Sequence, residues 1–377
     1  MNTAPAQTVM ELCLSPDFGG LEIYMSRCVR ELGQSLRVIP VVLPGGRLEQ
    51  RIREEGGEAV TLRRHMHALP LLTARRLARL IDDERVDVIH LHWTKDIPLA
   101  AFAKLLAKRH IKLVSTRQMQ ITRPKRDVYH RFLYRQIDLH LAITESLAEA
   151  MRGFLPPECA TRVKTLYHGV AEPAKWIDGE KRKTIRARYG AGYDTLLVGL
   201  FGRIKHYKGQ HLLVEAVGRA VNEGKDMAAL IVGHTMENDY LKKLKQQVEL
   251  NGWDNAIHFE NFVAEPQQLM QACDVIALTT YEETFGLVLV EAMRADVAVI
   301  GSDKGGVPEI IDDGKTGLLF KSGDPSDLHA KLDILFGDIS LRQRLAHAGR
   351  AEADRRFVDN DHYQGLTRYI KQLSGDR

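Results

Sequence analysis

The sequence predicts an α/β protein with two doubly wound domains, each a parallel β-sheet covered by helices on both faces. Short apolar runs rich in β-branched residues alternate with helical patterns almost from end to end, which is typical of βαβ units. Residues 171–192 interrupt this alternation with Pro173, Gly179 and Gly190, and it then begins again. The length of 377 residues also favours two domains, at a prior of about 150 residues each.

The predicted strands divide into seven before the interruption and six after it. The first group is residues 8–15, 36–43, 58–63, 87–92, 112–117, 139–144 and 163–168. The second group is residues 196–203, 228–234, 256–262, 274–280, 297–302 and 316–320. Helices follow, the first capped near Asp324-Pro325-Ser326-Asp327. We expect an N-terminal domain over 1–172, completed by a helix over about 358–377, and a C-terminal domain over 173–357.

The composition excludes several classes of protein. Hydrophobic residues make up 44% and charged residues 27%, which excludes disorder, collagen-like repeats and coiled coil. The four cysteines stand far apart without a C-x-x-C pair, so neither a disulfide framework nor a structural zinc site is expected. No apolar run approaches the roughly 18 residues of a membrane span, and the first residues do not resemble a signal peptide. We therefore expect a cytoplasmic protein.

The densest chemical signal lies at residues 281–287, between a predicted strand and a helix that begins near Gly286. The start of a helix presents unbonded N–H groups and the positive end of the helix dipole, which favours an anion such as phosphate. Glu283 precedes this helix and Glu291 lies about one turn inside it, where each carboxylate can bind a polyol. Two solvated surface acids remain the alternative, because this spacing alone is weak evidence.

A cationic loop follows the strand at 196–203. Arg203 offers a planar fork and Lys208 a compact charge, a pair suited to a diphosphate. The loop lacks the G-x-x-x-x-G-K-(S/T) pattern of a P-loop. An exposed basic loop without a ligand is the alternative.

Two glycine pairs follow strands, Gly19-Gly20 in the first half and Gly305-Gly306 in the second. The first pair precedes a helix, at the position where a doubly wound domain holds a phosphate. The G-x-G-x-x-G pattern is absent after the first strand, so the sequence disfavours a nicotinamide or flavin cofactor.

Taken in order, these motifs resemble the retaining glycosyltransferases of family 4. The resemblance covers nearly the whole chain and is strongest in the second half. The motifs that carry it are Gly19-Gly20, His168-Gly169-Val170, Gly202-Arg203, Lys208-Gly209, Asn261-Phe262-Val263, Glu283-Thr284-Phe285-Gly286-Leu287, Glu291 and Gly305-Gly306-Val307-Pro308-Glu309.

The resemblance implies a GT-B fold, with two Rossmann-like domains facing an interdomain cleft, a nucleotide-sugar donor on the second and the acceptor largely on the first. It implies catalytic roles for Arg203 and Lys208, which would bind the diphosphate, and for Glu283, which would bind a sugar hydroxyl. Donor-binding roles fall to Glu291 on the ribose, to the main chain of Phe285, Gly286 and Leu287, to Phe262 and Val263 near the base, and to Gly19 and Gly20 beside the diphosphate.

One position departs from the family pattern. A histidine that often follows the fifth strand is replaced by Gln118, beside Arg117. Glutamine can bond a sugar hydroxyl and arginine can pair with a phosphate, so both are possible contacts to acceptor or sugar. His92 is among the nearest other histidines, and a buried structural role and a direct contact both stay open for it.

Residues 104–135 carry ten lysines and arginines against one acid, Asp127. Such an excess sets the local potential and favours an anionic partner: a phosphorylated or lipid-linked acceptor, or an anionic membrane surface. Solvated helix faces are the alternative, and nucleic acid is disfavoured because aromatic stacking residues are not interleaved.

The function implied is retaining, metal-independent transfer from a nucleotide-diphosphate sugar to a glycan, lipid-linked or phosphorylated acceptor. Cell-envelope polysaccharide or lipopolysaccharide synthesis at the inner face of the membrane is the expected setting. No cofactor is expected, and no paired acids of DxD type stand in a suitable loop. A transferase for a soluble small-molecule acceptor and a non-catalytic binding protein on the same fold are the alternatives.

Overall fold

The computed structural model describes residues 7–63, 69–263 and 265–375, which fold into two units. The first unit holds the described residues up to Tyr167 and those from Asn360 onward, and the second is His168–Asp359. The boundaries drawn from the sequence were 172/173 and about 358.

Each unit is built on one parallel sheet. The first sheet has seven strands: β1 (Thr8–Cys13), β2 (Arg37–Val42), β3 (Val60–Thr61), β4 (Val88–Leu91), β5 (Lys112–Arg117), β6 (Leu139–Ala142) and β7 (Val163–Thr165). The second has six: β8 (Leu196–Phe201), β9 (Met227–Val232), β10 (Ile257–Glu260), β11 (Val275–Leu278), β12 (Ala298–Ser302) and β13 (Leu318–Phe320). Every predicted strand is present, and the predicted fold class is confirmed.

Helices lie between these strands, where they complete the βαβ units, and three more follow the last strand. They are α1 (Gly20–Leu32), α2 (Arg47–Glu54), α3 (Leu71–Asp83), α4 (Ile97–Leu106), α5 (Val128–Arg135), α6 (Glu145–Phe154), α7 (Gly179–Ala187), α8 (Gln210–Asn222), α9 (Asn238–Leu250), α10 (Gln267–Ala272), α11 (Leu287–Arg294), α12 (Val307–Ile310), α13 (Pro325–Gly337), α14 (Ile339–Arg356) and α15 (Asp359–Gly375). None of the helices within the described ranges combines the length and the apolar character needed to cross a bilayer.

The predicted cap at the start of α13 is confirmed. The Asp324 side chain accepts hydrogen bonds from the N–H groups of Ser326 and Asp327, at 3.0 and 3.2 Å. Pro325 occupies the first turn, where its missing N–H leaves no donor without a partner.

Strand order places the candidate sites. The sheets run β3-β2-β1-β4-β5-β6-β7 and β10-β9-β8-β11-β12-β13, so the order reverses beside β1 and beside β8. Loops diverge at such switch points and leave a crevice at the carboxyl ends of the strands. The loops after β8 and β11 therefore flank the crevice of the second unit, and those after β1 and β4 flank that of the first.

One face of the first sheet is apolar toward the amino ends of its strands. Val9, Val88 and Val114 pack there against α1 and α15. Two residues further along, Glu11, His90 and Thr116 occupy the same face, because side chains two apart in a strand share a side. The core of this unit thus contains a buried polar group of residues near the carboxyl ends of β1, β4 and β5.

His140 on β6 is a second buried polar residue of this unit. Its side chain is 1% exposed, stacks on Tyr134 with ring centroids 5.7 Å apart, and leaves Nε2 without a partner among the described residues. Burial, followed by the charges of Arg162 and Arg117, lowers its pKa from 6.5 to about 3. The folded state therefore holds this imidazole neutral.

We predict that His140 makes stability depend on pH. The unfolded chain binds the proton near pH 6.5 and the folded chain only near pH 3, so the free energy of unfolding should fall between these values as pH drops. The slope for one proton is at most about 1.4 kcal/mol per pH unit. Urea unfolding across this range should give a shallower dependence for His140→Leu, and an unchanged dependence for the control His110→Leu at an exposed position. Equal slopes for the parent and His140→Leu would contradict this account.

Candidate active site

The loops after β8 and β11 meet through a charged contact. The Lys208 ammonium lies 2.6 Å from the Glu283 carboxylate, and the two side chains are 26% and 22% exposed. Two residues that sequence analysis assigned to one substrate are therefore adjacent, although 75 positions separate them in the chain.

Hydrogen bonds fix the backbone beneath this contact. The Thr279 hydroxyl donates to the Lys208 carbonyl at 2.8 Å, and the Tyr207 hydroxyl donates to the Glu282 carbonyl at 2.6 Å. Gly209 adopts a left-handed φ of +71°, and a Cβ there would lie 2.2 Å from the Thr279 carbonyl oxygen. Only glycine permits this approach of the two loops.

The glycine pair after β12 supports Glu283 from the other side. The Gly306 N–H donates to the Glu283 carbonyl at 2.8 Å. Gly305 has a φ of +66°, and a Cβ there would lie 2.1 Å from the same carbonyl oxygen. The Ser302 hydroxyl donates to the Thr280 carbonyl at 2.7 Å. The backbone of Glu283 is thus held between two neighbouring loops.

The helix α11 begins directly beyond this segment. Its N-cap residue, Gly286, has a φ of +100°, and no side chain caps the first turn. The Phe285 side chain is 3% exposed and packs edge-on against His168 and Phe357. Only the main chain of Phe285 can therefore serve the role that the sequence predicted, and Leu287 opens the helix with a partly exposed side chain.

The other predicted donor residues lie on the same edge of the second sheet. Arg203 is exposed, and no carboxylate of the described residues pairs with its guanidinium. Glu291 is partly exposed within α11. Phe262 follows the edge strand β10 and is 71% exposed, and Val263 beside it is partly exposed. These placements are compatible with the predicted roles.

A pocket of about 620 Å³ adjoins the loop after β8, and sequence analysis did not predict it. Both signs of charge are present in its lining. The lining residues are His206, Glu237, Asn238, Asp239, Tyr240 and Lys243. The pattern before α9 gave no signal for it, because these residues form a pocket only once the loop after β8 folds beside that helix.

In the first unit, Gly19 and Gly20 lie at the start of α1. The Gly19 N–H donates to the Glu22 carboxylate at 2.8 Å, so this acid already occupies one amide of the helix start. A Cβ at Gly20 would meet nothing within 4 Å. The role of these two glycines beside a diphosphate stays a prediction.

At the end of β5, the Arg117 side chain bonds to its own loop. The Arg117 side chain is 9% exposed, and its Nε and Nη2 donate to the carbonyls of Met119 and Gln120, both at 2.8 Å. Burial lowers the pKa of Arg117, and the Tyr134 hydroxyl partly offsets this. Two nitrogens of the guanidinium hold its own loop in place, and a contact of Arg117 to a phosphate stays a prediction. Gln118 beside it has a buried Nε2 without a partner among the described residues.

His92 is enclosed in the core. It is 2% exposed, and its Nε2 lies 2.5 Å from the Glu11 carboxylate. Burial, followed by the charge of His90, lowers the pKa of His92 to about 4. The structure thus gives His92 a buried environment, one of the two possibilities left open by the sequence.

The basic stretch 104–135 is less cationic in the fold than along the chain. Three acids from outside the stretch, Asp87, Asp138 and Glu158, pair with its side chains and reduce the excess from nine charges to six. Arg123 is exposed and Lys125 partly so, both in the loop after β5. Burial, followed by the charges of Arg123 and Arg117, lowers the pKa of Lys125. We call Arg123 and Lys125 the loop cations.

Two family models match the chain. The model described as Glycosyltransferase Family 4 matches residues 18–172, and the one described as Glycosyl transferases group 1 matches residues 181–352. The chain belongs to the family 4 glycosyltransferases. The two matches together include most of the site residues described above.

The names of curated relatives of this glycosyltransferase refer to different substrates. It is 26% identical over 293 residues to the N-acetyl-alpha-D-glucosaminyl L-malate synthase of Bacillus anthracis, covering 76% of this chain and 75% of that protein. It is 30% identical over 207 residues to the D-inositol 3-phosphate glycosyltransferase of Corynebacterium jeikeium, covering 52% of this chain and 48% of that one. The second match therefore spans about half of the relative.

Solved structures establish the fold. Anabaena HepE in complex with UDP and glucose aligns over 97% of this chain and 100% of its own, with a TM-score of 0.83 at 22% identity. A glycosyltransferase from Rickettsia africae aligns over 99% and 100%, with a TM-score of 0.86 at 18% identity. At these identities the likeness shows the GT-B fold alone, as the resemblance implied.

We predict that Gly305→Ala destabilises this glycosyltransferase more than Gly314→Ala. Both glycines have a left-handed φ, at +66° and +76°, and such strain costs about 1 kcal/mol or more. A Cβ at Gly314 meets nothing within 4 Å, whereas at Gly305 it collides with the Glu283 carbonyl. Urea unfolding should show a loss of roughly 3 kcal/mol for Gly305→Ala. Equal losses in the two variants would show that contact with Glu283 is unimportant.

Proposed function

We propose that this glycosyltransferase moves a sugar from a nucleotide-diphosphate donor to an anionic acceptor, with retention of configuration and without a catalytic metal ion. The contact between Lys208 and Glu283 beside the start of α11 carries the proposal. A cation suited to phosphate, a carboxylate suited to a sugar hydroxyl and the N-terminus of a helix lie at one edge of a sheet, and this supports the proposal.

The chemistry needs two opposite charges to be stabilised. Breaking the bond between the anomeric carbon and the diphosphate oxygen leaves negative charge on the phosphate and positive charge on the sugar ring. Lys208, Arg203 and the N-terminus of α11 stabilise the leaving phosphate. One preorganised donor of this kind is worth roughly 10²- to 10³-fold in kcat. The positive charge of these groups supplies what a metal ion supplies in other transferases.

The ion pair also suggests how the donor enters. The arriving diphosphate accepts hydrogen bonds from the Lys208 ammonium, so the lysine exchanges a carboxylate partner for a phosphate. The Glu283 carboxylate is then available to accept from a sugar hydroxyl. Because the Glu283 backbone is fixed by Gly306, the carboxylate changes partner without moving its main chain.

Retention is achieved by attack on the face that the diphosphate leaves. The acceptor oxygen bonds to the anomeric carbon as the phosphate departs, and the acceptor's proton passes to a phosphate oxygen. No enzyme nucleophile takes part. A covalent sugar trapped on Glu283 during turnover would contradict this path.

The positive charge of the loop cations is the basis for proposing a class of acceptor. The loop cations favour a phosphorylated or lipid-linked acceptor, presented at the inner, anionic face of the membrane in cell-envelope glycan synthesis. A small soluble acceptor is the second candidate, because relatives are named for L-malate and inositol 3-phosphate, which are also anions. A binding protein that has lost activity is disfavoured by the intact contact of Lys208 with Glu283.

We predict that Lys208→Gln lowers kcat by roughly 10²- to 10³-fold, because it removes a cation from the leaving phosphate. A thermal-shift screen of nucleoside diphosphates and their sugars, UDP and UDP-glucose first, identifies the donor for the assay. A ligand at 100 times its Kd raises the free energy of unfolding of the parent by about 2.7 kcal/mol. The same ligand concentration should stabilise the variant by less.

The control is Lys242→Gln, at an exposed lysine on α9. It should keep both kcat and the ligand-induced stabilisation. A parent that binds no nucleoside diphosphate at millimolar concentration, or a Lys208→Gln variant with parental kcat, would exclude the proposed donor site.

We predict that neutralising the loop cations by Arg123→Gln with Lys125→Gln raises KM for the acceptor and leaves kcat unchanged. Their attraction for an anion is screened by salt, so the variant should also show a weaker dependence of KM on ionic strength. Co-sedimentation with phosphatidylglycerol and with phosphatidylcholine vesicles separates the two acceptor classes.

Loss of binding to the anionic vesicles alone would support the membrane-presented acceptor, and unchanged vesicle binding with a raised KM would support the soluble one. Lys108→Gln, an exposed cation elsewhere in the same stretch, is the control. A parental KM in the double variant would refute the role of the loop cations.

A further inference from the structure

Four side chains of metal-binding type converge inside the first unit. Glu11 on β1 lies opposite His90 on β4 in the register of the sheet, His92 follows two residues later, and Cys28 projects from α1 over the same face. One ligand atom from each lies within 4.8 Å of the others. All four residues are buried, at 2% exposure or less. Sequence analysis did not predict this cluster, because Glu11 meets the histidines through strand pairing and Cys28 joins them only when α1 packs on the sheet.

Charge is the first argument for an ion. No lysine or arginine of the described residues bonds to the Glu11 carboxylate, whose partners are the two imidazoles. A buried carboxylate is costly unless its charge is compensated. Metal binding displaces the proton of the Cys28 thiol, so that glutamate and thiolate together then carry two negative charges and two neutral histidines add none. A divalent cation would therefore bring the net charge of this cluster to zero.

The orientation of the histidines is the second argument. His90 directs Nδ1 toward Glu11 at 3.0 Å, while its Nε2 contacts the Thr116 hydroxyl at 2.7 Å. A metal-binding histidine characteristically uses its second nitrogen in this way. His92 directs Nε2 toward Glu11, and its Nδ1 is buried without a partner among the described residues. The hydrogen bonds of the described residues therefore satisfy one nitrogen of His92 and leave the other without a partner.

We propose that these four side chains form a structural site for a divalent metal ion of the zinc type. Zinc binds thiolate, imidazole and carboxylate at about 2.0–2.3 Å in a tetrahedron. Such bond lengths put ligand atoms roughly 3.3–3.8 Å apart. The four ligand atoms lie within 4.8 Å of one another, and the Glu11 carboxylate, now 2.5 and 3.0 Å from the imidazole nitrogens, would move slightly away from them when an ion binds. With four protein ligands the site has no open position, so the ion joins α1 to β1 and β4 and takes no part in glycosyl transfer.

Metal content and cobalt spectroscopy test the proposal. The full chain, expressed with zinc in the medium, should retain about one zinc per chain after dialysis, measured by mass spectrometry. Refolding with Co²⁺ should produce a thiolate-to-cobalt charge-transfer band and the intense visible bands of tetrahedral cobalt. Cys28→Ser should lose the charge-transfer band. The control Cys13→Ser, also fully buried in this unit, should keep it.

A measurement on the parent alone guards against a variant that fails to fold. A strong chelator should lower the parent Tm, and added zinc should restore it. Substoichiometric zinc together with no cobalt band would overturn the proposal and leave a hydrogen-bonded network in the core. Equal loss of the band in both cysteine variants would overturn the assignment of Cys28 as a ligand.

Discussion

The candidate site depends on the close approach of three loop backbones in the second unit, which glycine alone permits. Gly209 lies against the Thr279 carbonyl and Gly305 against the Glu283 carbonyl, both with a left-handed φ. Because the loops are held at this distance, the Lys208 ammonium and the Glu283 carboxylate reach 2.6 Å. This charged contact is a consequence of backbone packing, and it is present before any ligand binds.

The first unit uses its polar residues differently. Arg117, predicted as a contact to phosphate, bonds to the carbonyls of its own loop, and His92 is enclosed beside Glu11. Both are groups that would be costly to bury without partners. Arg123 and Lys125, in the loop after β5, are among the cations that remain at the surface of this unit.

Much of the fold could be predicted because strands buried on both faces are continuous apolar runs, and because Asp324 before Pro325 is a local cap signal. The motifs also located the loops of the second unit. Which side chains pair with one another across the fold could not be predicted. Asp138 and Glu158 neutralise cations of the stretch 104–135 only through tertiary contacts, and Glu11 meets His90 only through strand register.

The most direct test of the donor site is a crystal structure of this glycosyltransferase with a bound nucleoside diphosphate. The account predicts a phosphate oxygen within hydrogen-bond distance of both the Lys208 ammonium and the first N–H groups of α11, with the contact between Lys208 and Glu283 broken. A diphosphate held elsewhere, for example in the pocket beside α9 lined by Asp239 and Lys243, with that contact intact, would contradict it.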